Sequence, residues 1–551
     1  MKIGMVNNSH MLTSLQYLFD GIEQVLGERH ETVYRPPQYL HSPKSRREEM
    51  TKDLILNCDV ALGWMDDTLL ETRERVGKHL PYVWFPLGGM TRGFAELKTN
   101  ARHLKTTDLI VCHCSAEVEI VRRFTSNAQV RLLPFVFDES TFYPLDEAAR
   151  QQAKSELGFA PEDKVLLYAG RITAEKNLHT VLKIFAALQE MVPDLHLVVV
   201  GQEAETPFME FGVFPVSMKG TFYKLTGKLG LDQRRLHFFG GKGAAELRAL
   251  YNVADVLINL TLHHDENFGL GQVEAMACGT PVVGTNWGGL KDTIVHGETG
   301  YKVSTVATSA LGVKVNWWEV VCRVVSLLED KDEAARLGRR GAEHVRENYS
   351  FAPFSRVVNS IISDCEALGQ RDGEPLETTE FAAEFWRECP PLRGSLPFYR
   401  YSPRAYQLYR EVISPYAGAL PGGEAEGVVA PDDLLCLASP TSANGDGSLS
   451  VDDFIFPFVI TLPEAHAGTI GAALEALKSE PVIKAERLSD TYLAGSEDIP
   501  GALEWMLDSG LLLKTHPDCG RGAPANVGGW MSAPLFSFRR IDATVDAVTL
   551  G

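Results

Sequence analysis

The sequence predicts an α/β protein. Two Rossmann-like, doubly wound domains face each other across a cleft, and a small mixed α/β or winged-helix-like region follows them. Short apolar runs such as Val165–Tyr168, Leu195–Val200 and Ala254–Leu260 alternate with amphipathic stretches such as Met11–Leu26 and Leu178–Met191. Strands buried on both faces of a parallel sheet read this way, with helices as the crossovers. The length, 551 residues, exceeds what one hydrophobic core organises, so three units of ordinary size are expected. The third observation is local. His263–Gly289 reads as a loop, a short helix Gly271–Cys278 closed by Gly279, and a strand opening at Thr280. Open α/β sheets bind ligands at such strand carboxyl ends.

Composition narrows the class. Hydrophobic residues make up 45% and charged residues 23%, as in soluble globular chains. The longest apolar runs, Ile455–Leu462 among them, are too short to span a bilayer, so no stable membrane anchor is expected. The opening MKIGMVNNSH reads as a strand and a polar loop, not a signal peptide. Nine scattered cysteines read as reduced thiols and predict a cytoplasmic address. Cys112-His113-Cys114 lacks a second ligand pair, so no metal is expected there. A net charge of −19 argues against nucleic acid and anionic membranes as partners.

The first domain is expected over residues 1–150. Met1–Val6 is a strand and Met11–Leu26 a helix, which puts Asn8, Ser9 and His10 in the loop at a strand's carboxyl end. Further strands are Asp59–Trp64, Tyr82–Phe85 and Leu109–Cys112, and Asp66-Asp67 reads as a helix N-cap pair. Gly88 and Gly89 follow the Tyr82 strand and offer close backbone contacts. These five loop residues are candidates for contact with a ligand on the first domain's side.

The second domain is expected over 151–348. Its first strand ends at Gly170, with Arg171 and Lys176 on the following loop and helix start. Two cations there suit a diphosphate. Glu203–Tyr223 reads as an irregular insertion, Leu236–Gly240 as a strand, and Ala244–Asn252 and Trp317–Glu329 as helices. In the central stretch Glu266 and Glu274 bracket the turn Phe268–Gly271. The helix beginning there offers free N–H groups and a partial positive charge to an anion. Gly269 and Gly271 permit close approach, and a carboxylate in the helix's first turn would bind hydroxyls beside a phosphate.

Glu266 and Glu274, with seven residues between them, then EAMACGTPVV and a Gly-Gly pair, resemble the signature of family-4 glycosyltransferases. These are retaining, nucleotide-sugar-dependent enzymes of the GT-B fold. The resemblance implies that Glu266 contacts the donor sugar and Glu274 the nucleotide ribose. It implies that the turn Asn267, Phe268, Gly269 and Leu270 binds phosphate, and that Phe239 and Gly240 contact the base. Gly170, Arg171 and Lys176 would face the leaving diphosphate, so Arg171, Lys176 and Glu266 form the implied catalytic set. Val130–Phe137 resembles the family's interdomain linker, and 349–369 the closing helix that returns to the first domain. The likeness thus covers residues 1–369. Two departures stand out: Asn-Asn-Ser-His replaces a glycine-rich loop, and Leu87-Gly88-Gly89 stands where relatives carry a histidine. The implied front-side attack needs no protein nucleophile. The protein's own cations would neutralise the diphosphate, so neither a cofactor nor an obligatory metal is expected. Two other readings remain: a catalytically silent scaffold or sensor, and a sugar phosphorylase or sucrose-type enzyme.

Residues 370–430 read as a helical extension and linker. FAAEFW and PFYRYSPRAYQLY are predicted to pack as helices on the enzyme, ahead of the Gly/Pro-rich GALPGGEAEGVVAPDD. Residues 431–551 form the accessory domain, with a helix stopped at Gly510 and a strand after it. SANGDGSLSVDD has an incomplete calcium-loop pattern, and its Asn-Gly-Asp-Gly reads as a turn ahead of a helix N-cap. The accessory domain is expected to recruit a soluble acceptor, whether small molecule, glycan, peptide or protein, and to leave donor chemistry alone.

Overall fold

The computed structural model describes residues 1–6, 13–35, 39, 42–86, 96–173, 176–203, 218–262, 266–369, 371–389, 403–420, 429–444, 446–452 and 457–519. Asn8, Ser9, His10, Gly88 and Gly89 lie outside the described residues.

Two six-stranded sheets form the frame. The first contains β1 (Lys2–Met5), β2 (Glu31–Tyr34), β3 (Val60–Gly63), β4 (Tyr82–Trp84), β5 (Leu109–Cys112) and β6 (Gln129–Leu132), in the order β2-β1-β3-β4-β5-β6. All its pairings are parallel. The second contains β7 (Lys164–Ala169), β8 (Leu195–Val200), β9 (Leu236–Gly240), β10 (Val256–Asn259), β11 (Val282–Thr285) and β12 (Tyr301–Val303), in the order β12-β11-β10-β7-β8-β9. These pairings too are all parallel. Strands β3, β4 and β5 are buried at every residue, which is why they read as unbroken apolar runs.

The order of the second sheet reverses between β7 and β10. That switch point opens a crevice at their carboxyl ends, where the loops carrying Gly170–Lys176 and Glu266 emerge. The helix Phe351–Leu368 returns to the first domain, where Arg131 Nε donates to Asp364 at 2.8 Å.

Several boundaries differ from the sequence reading. Val130–Leu132 belong to β6, because Leu109–Cys112 offer them a parallel partner. The helix Glu147–Glu156 crosses position 150 and packs on the second domain, where Arg150 Nε donates to Asn252 O at 2.9 Å. Within the expected irregular insertion, residues from Met218 onward are helical, as Met218–Lys228. Phe222 and Leu225 bury one of its faces.

A short hairpin, β13 (Thr305–Ala307) and β14 (Val313–Val315), precedes the helix Trp317–Glu329. The C-terminal domain has an antiparallel sheet of β15 (Leu434–Leu437), β19 (Val482–Lys484) and β20 (Leu512–Thr515), ordered β19-β15-β20. A second antiparallel sheet holds β16 (Thr441–Ala443), β17 (Ser448–Asp452) and β18 (Pro457–Thr461). The Asn-Gly-Asp-Gly turn therefore leads into a strand and not a helix. Leu449 and Val451 are buried on one side of β17, a period-two pattern that selects strand.

The accessory domain is part of the fold's packing, not a bead on a linker. Trp317 Nε1 donates to Leu437 O at 2.8 Å and Trp318 Nε1 to Cys519 O at 3.1 Å. Asn316 Nδ2 donates to Lys514 O at 2.7 Å. Glu319 Oε1 accepts from the His516 N–H at 3.1 Å. Both indoles are at most 2% exposed, so one apolar core runs through the second domain and the appendage. Among the described residues no helix is long and apolar enough to cross a membrane.

Candidate active site

The site grows from the β7 and β10 exits. Gly170 N donates to Val200 O at 2.9 Å, and the Tyr168 hydroxyl donates to Arg171 O at 2.9 Å. These bonds pin the loop's start and leave the Arg171 side chain exposed. Gly201 must be glycine: a Cβ there would lie 1.8 Å from Gly170 O. Asn177 sits in the left-handed region at φ 59°, which Asn tolerates better than most residues. Its Nδ2 donates to Leu260 O at 2.8 Å, tying the Lys176 loop to the end of β10. As a result Lys176 Nζ forms an ion pair with Glu266 Oε2.

Glu266 opens the turn that becomes the helix Leu270–Ala277. Gly269 caps it at φ 83°, and a Cβ there would meet Leu290 Cδ2 at 2.2 Å. Behind the turn lies the Gly-Gly pair: Gly289 N donates to Glu266 O at 2.8 Å. A Cβ on Gly289 would lie 2.1 Å from the Asn267 carbonyl carbon. The Phe268 ring points into the core, stacked on Phe135 at 5.5 Å and edge-on to Tyr349 at 5.2 Å. What Phe268 offers a ligand is its backbone.

Glu274 corrects one reading. The helix begins at Leu270, and no acidic residue stands in its first turn; Glu274 lies one turn further in. Its Oε2 accepts from the Tyr251 hydroxyl at 3.0 Å. Burial pushes its carboxyl up to about 8, the Tyr251 hydrogen bond opposing and the Asp138 charge adding to the rise. Phe239 and Gly240 close β9, the edge strand two places from β7. Gly240 has φ 67°, and its carbonyl accepts from Gly201 N at 2.9 Å.

The first domain reaches this loop through the helix Ser115–Phe124. Asp292, from the second domain, accepts from Ser115 N at 2.6 Å and from Ser115 Oγ at 2.7 Å. Glu117 is fully buried and accepts from the His113 N–H at 2.8 Å. Burial raises its carboxyl to about 7, with the His113 N–H and the Asn267 amide pulling it down. His113 is an ordinary buried ring: Nδ1 lies 2.8 Å from Leu133 O, and burial lowers its pKa to about 4.

The fold thus brings Lys176, Glu266 and Asn267 together, with Gly170 and Arg171 at the rim and Glu274 deeper in its own niche. Asn177, Tyr251, Glu117 and Asp292 escaped sequence reasoning. Asn177 left a trace, an Asn directly after the Lys at a helix start. The other three act through partners in distant segments and left none.

Residues 149–344 match the family described as "Glycosyl transferases group 1". A D-inositol 3-phosphate glycosyltransferase of Corynebacterium glutamicum (strain R) is 28% identical over 239 residues, 43% of this chain and 52% of that protein. The chain spans about half the length of the curated relatives it matches. Sucrose-phosphate synthase from Thermosynechococcus elongatus shares the fold at a TM-score of 0.51 and 17% identity, over 66% of this chain and 99% of that one. Anabaena Alr3699/HepE, solved with UDP-glucose, does so at a TM-score of 0.50 and 16% identity, over 66% and 99%. Over residues 149–344 this chain is therefore similar to the glycosyl transferases group 1, in the second half of a frame with the GT-B fold.

Proposed function

We propose that this protein is a retaining glycosyltransferase that moves a sugar from a nucleoside diphosphate sugar to a hydroxyl of a soluble acceptor. The observation that carries the reading is the Lys176–Glu266 ion pair, held at the switch point against the positive end of the helix Leu270–Ala277. In this reading the donor separates the pair. Lys176 turns to the diphosphate and Glu266 to the sugar hydroxyls, and Glu274 holds the ribose beside Tyr251. Negative charge grows on the diphosphate as its bond to the anomeric carbon breaks. Arg171, Lys176 and the free N–H groups of the helix stabilise that charge. The acceptor hydroxyl attacks from the same face and the departing phosphate takes its proton, so no protein nucleophile is needed. With the protein supplying these charges, transfer proceeds without a metal, and a chelator leaves the rate unchanged. All nine cysteines are unpaired, which suits a reducing cytoplasm.

A thermal-shift series with UDP, GDP, ADP and TDP tests the donor class, because a ligand of the native state raises Tm. UDP is the first candidate, by analogy with the UDP-glucose bound to the Anabaena neighbour. The matching sugar nucleotide should then release nucleotide without consuming orthophosphate. Orthophosphate consumption would instead mark a phosphorylase, and no shift with any nucleotide would remove the reading altogether. Lys176→Ala should lower turnover by about 10²-fold while changing donor affinity little, because the charge it meets appears mainly in the transition state. A pure rise in KM would take Lys176 out of that role.

A further inference from the structure

The segments 371–389 and 403–420 pair with both domains, and in the second of them Ser414 Oγ accepts from Arg123 of the first domain at 3.3 Å. On the first domain, Thr379 N donates to Phe124 O at 3.1 Å, and the Phe124 ring meets Phe385 at 5.3 Å. On the second, Thr305 N donates to Gly418 O at 2.9 Å, and Lys291 Nζ donates to Pro415 O. Between these anchors lies Tyr416, 1% exposed. Its ring packs on Trp287 at 5.4 Å and its carbonyl accepts from Gly288 N at 2.9 Å. Gly288 has φ 50°, and a Cβ there would come within 3.0 Å of the Tyr416 ring. The next amide, Gly289 N, donates to Glu266 O at 2.8 Å. Two consecutive main-chain amides thus join the strap to the main-chain carbonyl of Glu266, the residue that the proposed function sets against the donor sugar.

We propose that Tyr416 is a positioning residue: the strap, anchored on both domains, sets the Gly288–Gly289 turn and through it the placement of Glu266 over the donor. This rests on the glycosyltransferase reading for its kinetic part, but not for its structural part. The strap lies outside the group 1 match, which ends at residue 344. Main-chain hydrogen bonds fix the turn's position because each holds only within a narrow range of distance and angle.

Tyr416→Ala keeps the carbonyl and removes the ring, and Tyr416→Phe keeps the ring. Hydrogen exchange on the ligand-free, full-length protein should show faster exchange of the 266–290 amides in Tyr416→Ala and wild-type exchange in Tyr416→Phe. Turnover of the sugar nucleotide should fall at least about tenfold in Tyr416→Ala at unchanged nucleotide affinity, with Tyr416→Phe restoring it. Unchanged exchange in a folded Tyr416→Ala overturns the proposal, as does an equal loss of nucleotide affinity and turnover. If Tyr416→Ala does not fold, Trp287→Phe takes its place, with the same exchange and turnover changes expected and wild-type values overturning the proposal. Altered exchange in a protein that turns over no sugar nucleotide supports the strap and removes the glycosyltransferase reading.

Discussion

At the scale of single residues, Glu274 is the most informative group. Its folded pKa is about 8, against an ordinary value of 4.5. Between those values the native state holds a proton that the unfolded chain has released, so this group's contribution to stability falls as pH rises through the window and levels off above it. Glu274→Gln removes the titration. Its stability relative to wild type should rise between pH 5 and 9, by on the order of a few kcal/mol, in urea melts taken at each pH. A parallel pH dependence in both proteins would mean that Glu274 does not carry the shifted proton. Glu274→Ala should also weaken nucleotide binding by about 1–3 kcal/mol, the range for leaving a buried hydrogen-bonding partner unsatisfied, measurable by calorimetry. Unchanged affinity would take Glu274 out of the ribose role.

At the scale of elements, the first domain depends on a buried ion pair that joins three segments. Asp108 accepts from Arg73 Nη1 at 2.7 Å and Nη2 at 2.9 Å, and also from Tyr82 N and Lys105 N, each at 2.8 Å. Arg73 also donates to Leu80 O at 2.8 Å and His103 O at 2.7 Å. Its side chain is 3% exposed and that of Asp108 1%. Asp108→Ala leaves a buried guanidinium without its counter-charge and two amides without an acceptor, so unfolding should become easier by about 3–5 kcal/mol. The surface pair Arg340–Glu343, 45% and 59% exposed, is the control: Glu343→Ala should cost about 0–1 kcal/mol. Equal effects from the two substitutions would show that burial does not decide the value of a pair here.

At the scale of the whole molecule, the appendage shares a core with the second domain, where its Gly/Pro-rich linker suggests a separate module. Residues 418–420 already pair with the second domain, since Gly418 N donates to Thr305 Oγ1 and Leu420 N to Ser304 Oγ, each at 3.0 Å. Removing everything after Ala417 uncovers Trp317 and Trp318, each worth about 150–250 Å² of buried surface. The truncated protein should be insoluble, or should bind a hydrophobic dye and lose nucleotide binding along with transfer. A soluble truncation with intact donor hydrolysis and weakened transfer would instead restore the recruiting role.

The sequence by itself determined most strands of the two parallel sheets, several helices and the glycine-rich motif around Glu266. Those features rest on local periods and on glycines whose necessity shows in short spacing. The runs at Leu178–Met191, Leu195–Val200 and Trp317–Glu329 are legible because burial imposes one pattern on adjacent residues. Only the tertiary structure decided which distant residues meet. Glu117 beside Asn267, Asp292 on Ser115, Tyr416 behind Gly288 and the paired indoles under the C-terminal sheet are separated in sequence by up to 201 residues. A linear pattern carries no record of such contacts, because a side chain's partner is set by how the sheets and the strap pack and not by its neighbours along the chain.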